Sequence, residues 1–214
     1  MSPLLVRQLG MQEYEPIWHQ MQQFTADRNA ETADEIWLLQ HPPVFTQGLN
    51  GKPEHILNKG NIPVVEIDRG GQVTYHGPGQ LVVYCLLDLK RNKLGVRQVV
   101  TALETAVIEY LAKQNIQAVA RKDAPGVYVD GAKISALGLR VKRGCCYHGL
   151  SLNVDMDMTP FNQINPCGYK DLEVTQLKDI GVHHSMADVE KDLLHHLINQ
   201  LSIDSFDLVD GFVA

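Results

Sequence analysis

A single α+β domain with a mostly antiparallel sheet is the fold class predicted by these 214 residues. Three observations carry the prediction. Leu81–Leu87 is an unbroken apolar run, far too short to span a bilayer and well suited to a buried strand. Val96 to Lys113 has the periodicity of a long amphipathic helix. The stretch from Ala118 to Val154 is punctuated by tight-turn signals, as expected of strands joined by hairpins. The length suits one domain, spanning 1–214, and no repeat or linker divides it.

In chain order, Glu15 to about Arg28 is a helix, with Ile17, Trp18, Met21 and Phe24 on its apolar side. Glu35–Leu39 is a short strand stopped by His41-Pro42-Pro43. Pro63–Ile67 is another short strand. Gly70-Gly71 and Gly77-Pro78-Gly79 are turns, and the strand Gln80–Leu87 follows. The helix from Val96 carries Val96, Val99, Val100, Leu103, Val107, Tyr110 and Leu111 on one stripe. Turns fall at Pro125-Gly126, Asp130-Gly131 and Arg143-Gly144. Asp130-Gly131, between Gly126–Val129 and Ala132–Leu139, is a strong hairpin signal because both turn residues tolerate positive φ. Ala187 to Leu201 is a final helix aligned on Val189, Leu193, Leu197 and Leu201.

Apolar residues make up 44% and charged residues 21%, the proportions of a soluble globular enzyme. A formal net charge of -6 argues against wholesale binding to nucleic acid or an anionic membrane. The N-terminus lacks a signal-peptide pattern, since Arg7 interrupts the apolar run Leu4–Val6. Cys85, Cys145, Cys146 and Cys167 suggest no disulfide framework, so a reducing cytoplasm is expected.

Residues 69–80, RGGQVTYHGPGQ, are the most unusual stretch. Four glycines and a proline accompany six polar side chains, including Arg69, Gln72 and His76. Glycine admits positive φ and close approach of a ligand to the backbone. A binding loop needs both properties, yet a pair of ordinary hairpin turns accounts for the composition equally well. The segment is neither a P-loop nor a dinucleotide fingerprint. Two further residues invite weighing. Cys167 lies in Asn165-Pro166-Cys167-Gly168-Tyr169, a turn context more accessible than that of Cys85. At its reference pKa a thiol is only about 3% thiolate at neutral pH. Lys133 follows the Asp130-Gly131 turn and precedes Ile134, so partial desolvation at a strand end would lower its pKa and make it usable as a base. From the residues alone, an inert loop cysteine and a solvated hairpin lysine remain the plainer readings.

Four segments together change that balance. RGGQVTYHGPGQLVVY, GAKISALGLR (131–140), HGLSLNV (148–154) and NPCGY followed by VTQL (165–177) resemble, in order, the motifs of octanoyltransferases of the lipoate–protein ligase B family. The resemblance covers nearly the whole chain. It implies the fold of the biotin/lipoyl protein ligase catalytic domain, a mixed, mostly antiparallel sheet flanked by helices. It implies transfer of an octanoyl group from acyl carrier protein to a lysine of lipoyl domains, the first step of endogenous protein lipoylation. The acceptors would be the lipoyl domains of 2-oxoacid dehydrogenase complexes and the glycine cleavage H protein.

By the same resemblance, Cys167 and Lys133 are the catalytic pair. The substrate-binding segments map to Arg69, Gly70, Gly71 and Gln72 with Val73, Thr74, Tyr75 and His76, to Ala136, Leu137 and Gly138, and to Gly149, Leu150 and Ser151. No cofactor and no metal are implied, because the donor arrives on the phosphopantetheine of the carrier. The chemistry suits such a pair. A thiolate takes the acyl group as a thioester, and a neutral lysine then takes a proton from the acceptor amine. Thioester exchange is nearly balanced and amide formation is downhill, so no ATP is required. Small residues such as Ala136, Gly138 and Gly149 leave room for the acyl chain, whose permitted length depends on pocket depth.

Competing assignments are testable. An ATP-dependent lipoate or biotin ligase on the same fold would need no cysteine nucleophile, and a non-catalytic acyl-binding protein would need neither Cys167 nor Lys133. Cys145-Cys146 with His148 lacks zinc spacing, and adjacent strand cysteines face opposite ways. His183-His184 and His195-His196 are expected on the surface, while His76 suits a binding role and His148 either orients Lys133 or is structural. The basic clusters Lys90, Arg91 and Lys93, Arg121-Lys122 and Lys142-Arg143 could steer an acidic carrier protein if they share a face.

Overall fold

The computed structural model describes residues 3–170 and 172–212, and of Cys167 the backbone alone. Among the described residues the chain is mixed α+β, as predicted. Its strands are β1 (Leu4–Met11), β2 (Glu35–Gln40), β3 (Val44–Gln47), β4 (Val64–Glu66), β5 (Val73–His76), β6 (Gln80–Asp88), β7 (Val119–Ala120), β8 (Gly126–Val129), β9 (Ala132–Lys142), β10 (Cys145–Asn153) and β11 (Phe206–Asp210). Its helices are α1 (Tyr14–Asp27), α2 (Val96–Lys113) and α3 (Met186–Gln200). An eight-stranded sheet runs β11-β1-β2-β6-β10-β9-β8-β7, and a three-stranded sheet runs β4-β3-β5. Within the large sheet only β11-β1 and β1-β2 pair in parallel.

The apolar run in β6 is unbroken because both of its faces are covered. Val83, Cys85 and Leu87 join Ile36, Leu38 and the buried stripe of α2 and α3 in one core. The alternate residues Val82, Tyr84 and Leu86 join Trp37, Leu39 and the Ile17 and Met21 side of α1 in a second. The small sheet leans on α1 through Val44 and Ile67. Its other side, with Phe45, Val73 and Tyr75, packs on Met156, Phe161 and Ile164. Truncating a buried leucine such as Leu103 would remove about 2–5 kcal/mol.

Local signals account for most boundaries. Asp130 and Gly131 have φ of 48° and 88°, the two positive angles of a type I′ turn between β8 and β9. Ser185 caps α3 by accepting from the Asp188 amide at 3.2 Å. The Gln98 side chain accepts from the Gly95 amide at 2.7 Å and closes the start of α2. The predicted surface placement of His196 is corrected: its ring is buried between α3 and α2, 3.1 Å from Glu109. No helix among the described residues is long and apolar enough to cross a membrane.

Candidate active site

A cavity of about 430 Å³ lies between the two sheets. Its base is the face of the large sheet carrying small residues: Ala136, Gly138, Gly149 and Ser151. Cross-strand register aligns Gly126, Ala136, Ser151 and Val82 in one row. Its roof is the glycine-rich loop, Arg69 to Gln72, followed by β5. Because β5 alternates, Thr74 and His76 face the cavity, whereas Val73 and Tyr75 face the opposite core. Val73 and Tyr75 therefore do not reach the cavity, although the sequence placed them among the binding residues. The other twelve predicted binding residues line it. Val96 and Val100, predicted on the core stripe of α2, stand at its edge instead, where β8 has ended and β9 runs on.

Lys133 lies just beyond this cavity, in a small adjoining void that shares Thr74, Ala136 and Ser151 with it. It is 3% exposed, with Nζ donating to the Pro125 carbonyl at 3.1 Å and lying 5.2 Å from the Tyr128 ring centroid. Its backbone is gripped from the other direction. Lys133 N–H donates to Glu173 O at 2.8 Å, and Thr175 N–H donates to Lys133 O at 2.9 Å, a short parallel bridge through Val174. Six residues upstream of Glu173, Cys167 lies in the 3-10 turn Pro166–Gly168. That turn is anchored by Asn165 N–H to His55 O at 2.8 Å. Pro166, Lys133, Thr74 and Ser151 line one small void, so the turn and the lysine open onto the same space. The Cys167 side chain lies outside the described residues. The order of these contacts explains why the two motifs are 34 positions apart in the chain yet adjacent in the fold.

The far end of the cavity lies under α1 and is built from Tyr14, His76, Tyr84 and His148, with His41 behind them. Hydrogen-bond logic fixes the tautomers. Gln80 donates its amide to Tyr75 O at 3.2 Å and to Asn153 Oδ1 at 2.9 Å, so its oxygen accepts from His76 Nδ1–H at 2.7 Å. His76 Nε2 is thus a bare acceptor. His41 Nδ1–H donates to Gln12 O at 2.7 Å, and its Nε2 accepts from the Tyr84 hydroxyl at 2.8 Å. Burial holds His41 neutral with a pKa lowered to about 4. Burial, with His41 alongside, lowers His76 to about 3. Burial also pushes the Tyr14 and Tyr84 phenols well above their ordinary value.

His148 reaches the cavity by breaking strand alternation. Its φ of 63° brings the ring beside that of Tyr147, 5.1 Å between centroids, and over Tyr84. The distortion presses the next residue against β6: a Cβ on Gly149 would lie 2.1 Å from Val83 O, so only glycine fits. Burial lowers the pKa of His148, which donates Nε2–H to Asp68 at 3.3 Å as a neutral imidazole. Burial pushes the Asp68 carboxyl up, but His148, Tyr147, Trp18 and Gln22 all donate to it and hold it well below the usual carboxylate range. Asp68 thereby ties α1, β10 and the start of the glycine-rich loop together.

Tyr14, His41, Asp68 and Tyr84 were not singled out in the sequence. His41 was legible only as part of a strand stop, and Tyr84 only as one residue of an apolar run and the last of the first family-like motif, with no role given to it. Of the basic residues, Arg91 proves structural, ion-paired to Asp34 at 2.6 Å and donating to Thr32 O at 2.8 Å. Arg121 is paired with Asp123 at 2.6 Å. A separate hollow of about 350 Å³ near Asp34 and Leu201 shares no lining residue with the cavity or with the void beside Lys133, and no cysteine, lysine or histidine is among its described lining residues.

The family described as the lipoyl protein ligase A/B catalytic domain matches residues 13–198. An octanoyltransferase of Chromobacterium violaceum is 60% identical over 200 residues, covering 94% of this chain and 97% of its own. Among solved structures, a bi-partite lipoate protein ligase of Thermoplasma acidophilum superposes with a TM-score of 0.76 at 14% identity, covering 100% of this chain and 88% of that one. A biotin protein ligase of Aquifex aeolicus superposes with a TM-score of 0.58 at 15% identity, covering 94% and 71% respectively. These two share the fold.

Proposed function

The chain belongs to the octanoyltransferases of the lipoyl protein ligase A/B catalytic domain family, and on that premise we propose that it moves an octanoyl group from acyl carrier protein to a lipoyl-domain lysine through a thioester on Cys167. The observation that supports it is that buried Lys133 and the Cys167 turn border one small void, which adjoins the small-walled cavity through Thr74, Ala136 and Ser151. The reaction begins with Cys167 as thiolate and Lys133 as ammonium. The thiolate attacks the donor thioester, the bond from carbonyl carbon to pantetheine sulfur breaks, and Lys133 protonates the departing thiolate. The acyl group now rests on Cys167 and Lys133 is neutral.

The acceptor lysine arrives as an ammonium, and holding it neutral at pH 7 costs about 4.6 kcal/mol. Neutral Lys133 takes one of its protons. The amine attacks the Cys167 thioester, the carbon–sulfur bond breaks, and the amide forms with its second proton released to solvent. Each turnover then frees one proton and restores the starting pair. The Pro125 carbonyl and the Tyr128 ring orient Nζ throughout. A free thiol nucleophile is best preserved in a reducing compartment, which supports a cytoplasmic location.

Transfer from octanoyl-acyl carrier protein to a purified lipoyl domain without ATP tests this reading. Amide formation without nucleotide is expected, with none from free octanoate. A requirement for ATP, with free octanoate as donor, would instead assign the ligase reaction.

A further inference from the structure

The two ends of the cavity differ in chemistry. Along the base, Ala136, Gly149 and Val82 offer small or apolar walls, whereas Tyr14, His76, Tyr84 and His148 close the far end with buried polar groups. The row from Gly126, beside Lys133, to Val82 crosses three strand spacings, about 14 Å. That is room for an extended acyl chain of medium length. At its end the polar atoms are tied to one another and to the fold: Tyr84 to His41 at 2.8 Å, His76 to Gln80 at 2.7 Å and His148 to Asp68 at 3.3 Å. A longer chain could pass only by separating these pairs and leaving buried polar groups unsatisfied.

We propose that Tyr14, His76, Tyr84 and His148 form a polar stop that sets the acyl chain length the enzyme accepts, with Tyr14 as the residue that closes it. Of the four, Tyr14 comes from α1, and its ring stacks on His76 with centroids 5.7 Å apart and a 16° interplanar angle. Its removal gives up its own hydrogen bond with Tyr84 but leaves the Tyr84–His41, His76–Gln80 and His148–Asp68 pairs in place. The stop remains uncharged at physiological pH, because burial disfavours the imidazolium and phenolate forms alike. The nearby cation is Arg69, whose buried guanidinium is held by the Thr46 carbonyl and hydroxyl and disfavours the imidazolium forms of His76 and His148 further. This inference rests on the octanoyl-transfer reading above.

The test compares kcat/KM for octanoyl-, decanoyl- and dodecanoyl-acyl carrier protein. In a continuous apolar pocket, each added methylene would strengthen binding about fourfold. The wild type is expected instead to decline from octanoyl to dodecanoyl. Tyr14→Ala is expected to raise the dodecanoyl-to-octanoyl ratio at least about tenfold. Tyr14→Phe, which keeps the ring packing, is expected to raise the decanoyl-to-octanoyl ratio about fourfold. A general loss of structure would lower all donors together and leave the ratios unmoved. Unchanged ratios in both variants while octanoyl transfer persists, or a wild type that takes dodecanoyl as readily as octanoyl, would overturn the stop and leave the reaction standing. A wild type that transfers from no acyl donor would overturn both.

Discussion

Acidification from pH 7 to pH 5 is expected to remove about 4 kcal/mol of folding stability through His41 and His76. Both are buried, with pKa values lowered from 6.5 to about 4 and about 3. The unfolded chain therefore takes up their protons first. Their contribution is fully present above pH 6.5 and is lost as pH falls from 6.5 towards the folded values, below which nothing further is lost. At pH 5 each imidazole is almost wholly protonated in the unfolded chain and still mostly neutral in the fold, which amounts to about 2 kcal/mol per residue. His148, lowered in the same direction, adds to the loss. Glu190, raised by burial, works in the opposite sense. Asp68 stays ionised in both states at pH 5 and is silent in this window. Urea unfolding at pH 7, 6 and 5 measures the effect. In His76→Gln the pH-dependent part should fall by roughly half, whatever that variant's stability at pH 7. Stability that is flat from pH 7 to pH 5, or an undiminished slope in both His76→Gln and His41→Gln, would refute the assignment of these rings as buried and neutral.

Three further outcomes are expected. Lys133→Met should slow amide formation at least about 100-fold in single-turnover assays, and a rate within tenfold of wild type would remove Lys133 from proton transfer. Gly149→Ala should lower stability by about 3 kcal/mol in urea unfolding, because its Cβ would lie 2.1 Å from Val83 O in the middle of the sheet; a neutral effect would mean that β6 and β10 yield there. In weakly buffered solution at pH 7, indicator dye should register one proton released per amide formed, and a count of zero or two would contradict the proton bookkeeping between Lys133 and the acceptor.

What was legible in the sequence divides by range. α2 starts and ends where its periodicity predicts, and the Asp130-Gly131 hairpin forms, because both signals are local. β1 was visible only as the fragment Leu4–Val6, and β11 was not read. Both pair in parallel through long connections; β1 alternates only over Leu4–Arg7 before a bulge between Gln8 and Gly10 shifts its register, and β11 is mostly exposed and carries no alternation. Motif resemblance supplied the binding segments as continuous runs. Strand geometry then sorts them, sending Thr74 and His76 to the cavity and Val73 and Tyr75 to the core. The far end of the cavity was the least legible part. Tyr14, His41, Tyr84 and Asp68 come from four separate elements, and only their packing shows that they meet. His196 looked like half of a surface pair because its partner Glu109 lies on another helix.

The central claim is the thioester on Cys167, and intact-protein mass spectrometry tests it most directly. The enzyme is mixed with octanoyl-acyl carrier protein, without ATP and without acceptor. The account predicts an octanoyl adduct that hydroxylamine removes, that maps to Cys167 by peptide analysis and that is missing in Cys167→Ala. An enzyme of unchanged mass beside an intact carrier thioester would contradict it.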